Sequence, residues 1–270
     1  MRSARSAAVA AACAGAVLRA TVLAPRLLRV HDVPLALPGW PAALDGLRVA
    51  VVGDVHAGSP WVDLARVRTV VDRVVAARPD LVVLLGDHLA DVAGGRYLEP
   101  EPVADALAGL LLAAPVVGVL GNHDWYAGGH RVRRALEAVG LPVLEESAVP
   151  VLDGRLWIAG VGDLWERSPD VGAALAGVPV GAPTILLTHN PDCVVDVPAH
   201  VPLVLAGHTH GGQIRVLGRG VHRLSERSGN RWSHGWYADQ RLYVTGGIGT
   251  STVPLRTVAP EVPVLVLSPS

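Results

Sequence analysis

The sequence predicts an α/β fold: a mainly parallel sheet covered by helices, joined by a second sheet. Three observations predict it. An apolar run, a polar tip and a helical or helix-like stretch follow one another three times between Leu47 and the region beyond Asp124. The later half changes texture, to a hairpin pattern and several short strands. The chain has 270 residues, half of them hydrophobic, which is ample for a core in one large domain. Alternation of this kind places chemistry at the carboxyl ends of the strands.

Residues 1–30 differ in composition from the rest of the chain. Arg2 and Arg5 precede an apolar run over residues 7–18 that Arg19 ends. That run is short for a spanning helix and closer to the apolar core of a signal peptide, with residues 20–24 available to extend it into a weak anchor. The expectation is a signal-like or membrane-anchor segment and hence a membrane-associated protein; a helix lying on the domain is the alternative. Residues 31–46 carry Pro34, Pro38 and Pro41 and are expected to be an extended linker. The domain itself is expected over 47–270.

Leu47-Arg48-Val49-Ala50-Val51-Val52 is a β-branched strand ending in Gly53-Asp54-Val55-His56. Leu64, Val67, Val70, Val71, Val74 and Val75 then recur at helical spacing. Residues 80–85 form a second buried strand ending in Gly86-Asp87-His88, and residues 115–120 a third ending in Gly121-Asn122-His123-Asp124. Around the Asp153-Gly154 turn, residues 149–152 and 156–161 read as a hairpin. Residues 183–188 lead to His189, and residues 202–205 lead to Gly207-His208-Thr209-His210. Residues 242–245 and 262–267 close the chain as strands, Pro263 favouring an edge or bulge for the last.

A net charge of −1 gives no excess of positive charge to neutralise a nucleic-acid backbone, so nucleic-acid binding is not expected. The two cysteines, Cys13 and Cys193, match no metal or redox spacing. The strand tips instead collect Asp54, His56, Asp87, Asn122, His189, His208 and His210, with His123 beside them. Residues two apart in an extended segment face one side, so His208 and His210 can share a cavity. Oxygen and imidazole donors without thiolate suit Mn, Fe, Zn or Mg, and there are more of them than one ion needs. Two cations roughly 3.5–4 Å apart lower the pKa of water and clamp phosphate oxygens. Such a site needs a carboxylate that touches both, and Asp87 is the natural candidate. Each residue has a plainer reading: Asp54 or Asp87 as a helix cap, Asn122 as a turn residue, His189 as a helix start. Taken together those readings require five coincidences at five strand ends.

These five blocks, in this order, resemble the calcineurin-like metallophosphoesterase superfamily. The segment 242–251, with Pro254, Arg256, Pro260 and Glu261, resembles its branch of membrane-associated bacterial phosphodiesterases, which includes hydrolases of UDP-diacylglucosamine-type lipids. The resemblance implies a two-sheet α/β-β/α sandwich of the metallophosphoesterase type and a metal-dependent hydrolase of phosphoesters. One ion would be held by Asp54, His56, Asp87 and His210, the other by Asp87, Asn122, His189 and His208, with manganese favoured. His123 would protonate the leaving oxygen. Many members carry a second aspartate three residues after the bridging one; here that position is Ala90, leaving Asp91 or Asp124 to orient His123. His88 has no assigned role beyond a supporting or surface one. Trp61, Trp125, Trp165, Trp232 and Trp236, with Arg227 and Arg231, suggest an apolar mouth for a lipid-linked phosphate. A soluble nucleotide phosphodiesterase and a non-catalytic scaffold are the alternatives.

Overall fold

The computed structural model describes residues 11, 14–216, 219–220 and 231–270. Two sheets stack face to face. The first has five strands in the order β1-β13-β2-β3-β4: β1 (Arg29–Leu37), β13 (Glu261–Pro269), β2 (Leu47–Val52), β3 (Leu81–Leu85) and β4 (Val116–Val119). The second has six in the order β11-β12-β8-β7-β6-β5: β11 (Gly235–Tyr237), β12 (Leu242–Val244), β8 (Leu203–Ala206), β7 (Thr184–Leu187), β6 (Leu156–Gly160) and β5 (Ser147–Val151). In the first sheet β2, β3 and β4 run parallel, while β13 pairs antiparallel with β2 and parallel with β1; in the second β6, β7, β8 and β12 run parallel, and β5 and β11 pair antiparallel at the two edges. A two-stranded ribbon, β9 (Arg215–Val216) with β10 (Arg219–Gly220), stands apart.

Alternation along the strands builds the layers. Val49, Val51, Leu81, Val83 and Leu85 point between the sheets and meet Ile158, Ile185, Leu187, Leu203 and Leu205. Ala50, Val52, Val82 and Leu84 point outward, under helices α1 (Leu64–Ala77), α2 (Pro100–Leu107) and α4 (Gly129–Ala138). A short α5 (Val171–Leu175) and a 3-10 turn cover the second sheet's outer face through Val171, Ala174 and Val194. With both faces covered, the strands read as unbroken apolar runs, which is how the sequence shows them. Helix α1 starts where the Asp63 carboxylate accepts the Arg66 N–H at 2.8 Å and stops at Arg78, which is left-handed at φ 51°. Its buried stripe is Val67, Val70, Val71 and Val74.

Three expectations change. The segment before Leu47 is no free linker, because residues 29–37 pair in register with residues 261–269 and Leu35, Leu37 and Trp40 are buried. The last strand is internal, not an edge; Pro263 fits because pairing with β2 begins only at Val264, so no β2 partner needs its missing N–H. The membrane-anchor expectation is also overturned. Among the described residues no helix is long and apolar enough to cross a membrane. The chain passes instead through a π turn at Arg19–Leu23 and a 3-10 turn at Ala24–Arg26, burying Ala24, Pro25 and Leu28 against the domain. Arg2, Arg5 and half of the 7–18 run lie outside the described residues.

Candidate metal centre

Both sheets present the carboxyl ends of their parallel strands at the same end of the molecule, and the tips interlock by backbone hydrogen bonds. Asp54 and His56, beyond β2, donate N–H to Gly86 O and Asp87 O at 3.0 and 2.8 Å. Gly207, beyond β8, donates to His189 O, beyond β7, at 3.0 Å. The sheets are joined where the His208 N–H donates to Asp54 Oδ1 at 2.8 Å and the His189 ring meets Leu85 O through Nδ1 at 2.7 Å.

The side chains form two buried groups that share one carboxylate. Asp54, His56, Asp87 and His210 bring donor atoms within 4.8 Å of one another, and Asp87, His189 and His208 do the same. Asp87 Oδ2 lies 3.3 Å from His56 Nε2 and 3.2 Å from His189 Nε2. Asn122 Oδ1 and His189 Nε2 both stand 3.1 Å from His208 Nδ1. His56 Nε2 faces His210 Nε2 at 3.1 Å, and His210 Nε2 stands 3.6 Å from Asp54 Oδ1. All seven residues are at most 4% exposed.

This arrangement fits divalent cations. One proton can satisfy one pair of converging nitrogens, but not the nitrogens and carboxylates together, while a cation accepts all of them. Asp54 Oδ2 is buried without a hydrogen-bond partner. Burial pushes the Asp54 carboxyl up to about 6, and burial with the His56 charge pushes His210 well below the usual histidine range. Burial also works against a charged His189, but Asp87, Asp54 and Asp163 outweigh it and raise the ring to about 10. A positive ion at the convergence point favours ionised Asp54 and neutral ligating imidazoles.

Five of the seven, Asp54, His56, Asp87, His208 and His210, have left-handed backbones with φ between 45° and 69°. Non-glycine residues pay of order 1 kcal/mol or more for that region and hold it only where surroundings enforce it. Gly247, at φ 66°, is one such enforcer: a Cβ there would stand 2.6 Å from Asp54 Cβ. Its loop is held by Arg256, fully buried, whose guanidinium donates to the carbonyls of Gly246, Gly247, Ile248, Gly249 and Val258. Burial brings the Arg256 pKa down to about 10, so it stays charged at neutral pH.

Two of the plainer readings, Asp54 and His189 at helix starts, do not fit the geometry. Asp63, not Asp54, caps α1, and Asn190, not His189, caps the next 3-10 turn, accepting the Asp192 N–H at 3.0 Å. Asn122 opens the short helix α3 (Asn122–Tyr126), with its amide oxygen beside His208 Nδ1. His123 packs edge-on against His56 with ring centroids 4.7 Å apart, and its N–H donates to Asp87 Oδ1 at 2.9 Å.

Neither aspartate expected to orient His123 does so. Asp124 is turned the other way: it accepts the His88 ring Nδ1 at 2.9 Å and the N–H groups of His88, Gly121 and Leu89 at 2.8, 3.0 and 3.2 Å. Asp91 is exposed and lines a small outer cavity. The described partner of His123 Nε2 is Ser251 Oγ at 3.4 Å. The structure thus gives His88 a place, as the buried partner of Asp124. Trp232 is 5% exposed in the core of the second sheet and Trp236 packs against the inter-sheet core, so neither rims the site; Arg227 lies outside the described residues. Trp165 does reach the centre, edge-on to His208 at 4.4 Å. Sequence reasoning missed Asp163, which holds the Trp165 loop by accepting the Trp165 and Glu166 N–H groups at 2.9 and 3.0 Å; no sequence signal marks it. It also missed the role of Gln213, which binds Ser251 through both amide atoms.

Residues 47–212 match the family model described as calcineurin-like phosphoesterase. The chain is 29% identical over 256 residues to the uncharacterized metallophosphoesterase YkuE of Bacillus subtilis (strain 168), covering 92% of this chain and 88% of that one. It is 29% identical over 234 residues to the phosphodiesterase YaeI of Escherichia coli (strain K12), covering 82% of each. To an uncharacterized metallophosphoesterase of Aquifex aeolicus (strain VF5) it is 30% identical over 248 residues, covering 88% of this chain and 91% of that one.

Proposed function

The chain belongs to the calcineurin-like phosphoesterase family, and from that premise of metal-dependent phosphoester hydrolysis we propose a two-ion centre that cleaves phosphodiester or pyrophosphate bonds. The observation that carries the reading is the single oxygen Asp87 Oδ2, within 3.3 Å of a ring nitrogen from each buried group. Asp54, His56, Asp87 and His210 would hold one ion, and Asp87, Asn122, His189 and His208 the other. The donors suit Mn, Fe, Zn or Mg, and manganese is the ion we favour. Bound there, such ions supply charge to offset the phosphoryl oxygens and make a water acidic.

The protein's own part is positioning and one proton. His123 sits outside both ligand groups yet beside the shared carboxylate, so its ring is free to hold a proton at Nε2 and pass it to the departing oxygen. Burial lowers its hold on that proton. Trp165 and Trp61, 38% and 39% exposed, offer apolar surface to the organic part of a substrate. A lipid-linked phosphoester is the narrower case of this reading.

The test is elemental analysis of the whole chain, together with hydrolysis of bis-(p-nitrophenyl) phosphate. About two ions per chain, turnover abolished by chelation and turnover restored by manganese are expected. Protein that takes up no divalent ion and shows no turnover with Mn, Fe, Zn or Mg overturns the reading.

A further inference from the structure

We propose that the cavity lined by Arg26, Arg66 and Arg96 beside the metal centre is a subsite for a second phosphate or carboxylate on the substrate, remote from the bond that is cut. The inference rests on the phosphoesterase reading and narrows its substrates to phosphoesters that carry a second anionic group.

The cavity holds about 420 Å³. Arg26 lies over the Trp61 ring at 4.0 Å, and Arg66 Nη2 donates to Arg26 O at 2.9 Å, so the N-terminal segment forms one wall and the first turn of α1 another. Among the described residues none of the three guanidiniums forms an ion pair with a carboxylate. The one carboxylate in the lining, Asp63, is engaged with the α1 backbone at Arg66 N–H. The lining therefore carries an unbalanced positive charge. Burial and then the Arg73 charge lower the Arg66 pKa, an effect that an arriving anion opposes. An independent sign is Ser59: it is 4% exposed, lines the cavity, and its buried hydroxyl has no hydrogen-bond partner. Guanidinium donors and an unpartnered hydroxyl in one lining suit a phosphate or carboxylate, and Trp61 suits a ring or chain next to it.

The position connects the cavity to the chemistry. Ser59 lies three residues beyond the ligand His56 and donates its N–H to His56 O at 2.9 Å. Arg96 lines this cavity and also a neighbouring one of about 290 Å³ that Tyr97 and Tyr126 share. The Tyr126 ring in turn stands 5.4 Å from the ring of His123. A substrate with its scissile phosphorus at the ions can lay its remainder past Tyr126 and Arg96 and end on the arginines.

The test compares two chromogenic diesters in the whole, metal-loaded chain: thymidine 5′-(p-nitrophenyl phosphate) and the same compound bearing a 3′-phosphate. The reacting groups are identical. The wild type is expected to favour the 3′-phosphorylated compound tenfold or more in kcat/KM. In the R26Q/R96Q double variant that ratio should fall toward one, chiefly through KM, and S59A should lower it severalfold. A ratio that the double variant leaves unchanged overturns the proposal. Calorimetric titration with phenylphosphonate, which is not hydrolysed, gives a readout separate from turnover. Two sites per chain in the wild type and one in the double variant are expected, and equal stoichiometry overturns the site. Loss of the second site with an unchanged kcat/KM ratio means the cavity takes free anions only, which overturns its role in substrate binding. If the wild type hydrolyses neither diester but loses the second phenylphosphonate site with the arginines, the phosphoesterase reading falls and the anion site stands.

Discussion

His123 and Asp124 are neighbours in sequence, yet they face different partners. His123 leans on His56 and Ser251; Asp124 holds His88 and three backbone N–H groups. The two therefore fail differently when changed. His123→Ala should keep both ions and lose about 10²- to 10⁴-fold in kcat, the usual worth of a positioned acid. Asp124→Asn should lose about 2–3 kcal/mol of stability, because a buried carboxylate with four donors leaves them ill-matched, and Asp91→Asn should change neither quantity measurably. Thermal unfolding and kcat of the three variants decide the matter; an Asp91→Asn enzyme as impaired as His123→Ala would restore Asp91 as an orienting residue. The candidate cluster was legible in sequence because each of its members follows an apolar strand run. Which way Asp124 turns was not, since spacing along the chain fixes a backbone position and leaves the side-chain direction to the neighbouring tip that carries His88.

At the scale of elements, the loop between β12 and β13 shapes the centre from outside it. Arg256 serves as a template: its five donor contacts gather the carbonyls of residues 246–249 and 258, and the same loop places Gly247 against Asp54. Arg256→Met removes the donors while keeping much of the bulk, leaving several buried carbonyls unpaired. A loss of about 3 kcal/mol or more is expected, together with weaker ion binding, read by denaturant unfolding and by a metal-chelator competition. Unchanged ion affinity in a folded variant would show that the loop does not shape the ligands. The strands of the central αβ repeat were readable for the reason the ligands were. β1 was not, because Pro34 and Pro38 in a short polar-apolar mixture mark extended chain as well as they mark a strand, and only the distant β13 supplies its partner.

At the scale of the whole molecule the two sheets are tied by charge as well as by the apolar layer between them. Glu261, at the start of β13 in the first sheet, accepts His234 Nε2 at 2.7 Å and Gly246 N–H at 2.8 Å from segments flanking β11 and β12 of the second. Burial alone would raise its carboxyl, but the His234 bond and charge and the Gly246 N–H outweigh it, and the folded value lies below the ordinary 4.5. A depressed carboxylate contributes stability that is fully present above its unfolded value and is lost as pH falls through the folded one. Glu261→Gln should therefore be less stable at neutral pH and lose less of its stability than the wild type as pH drops below 4.5. Parallel melting-temperature profiles for the two proteins would remove this link from the account.

The candidate ligands are divided between the layers: Asp54, His56, Asp87 and Asn122 come from the first sheet, and His189, His208 and His210 from the second. Ions held there act as rivets at one end of a two-plate stack whose middle is held by apolar contact. Stripping the ions from a folded chain should therefore unzip the stack from that end, and amide exchange should quicken first at residues 53–57, 86–89 and 207–210 while the strand middles stay protected. For this chain, the supply of divalent ions would set how firmly the two halves of the fold are fastened to each other.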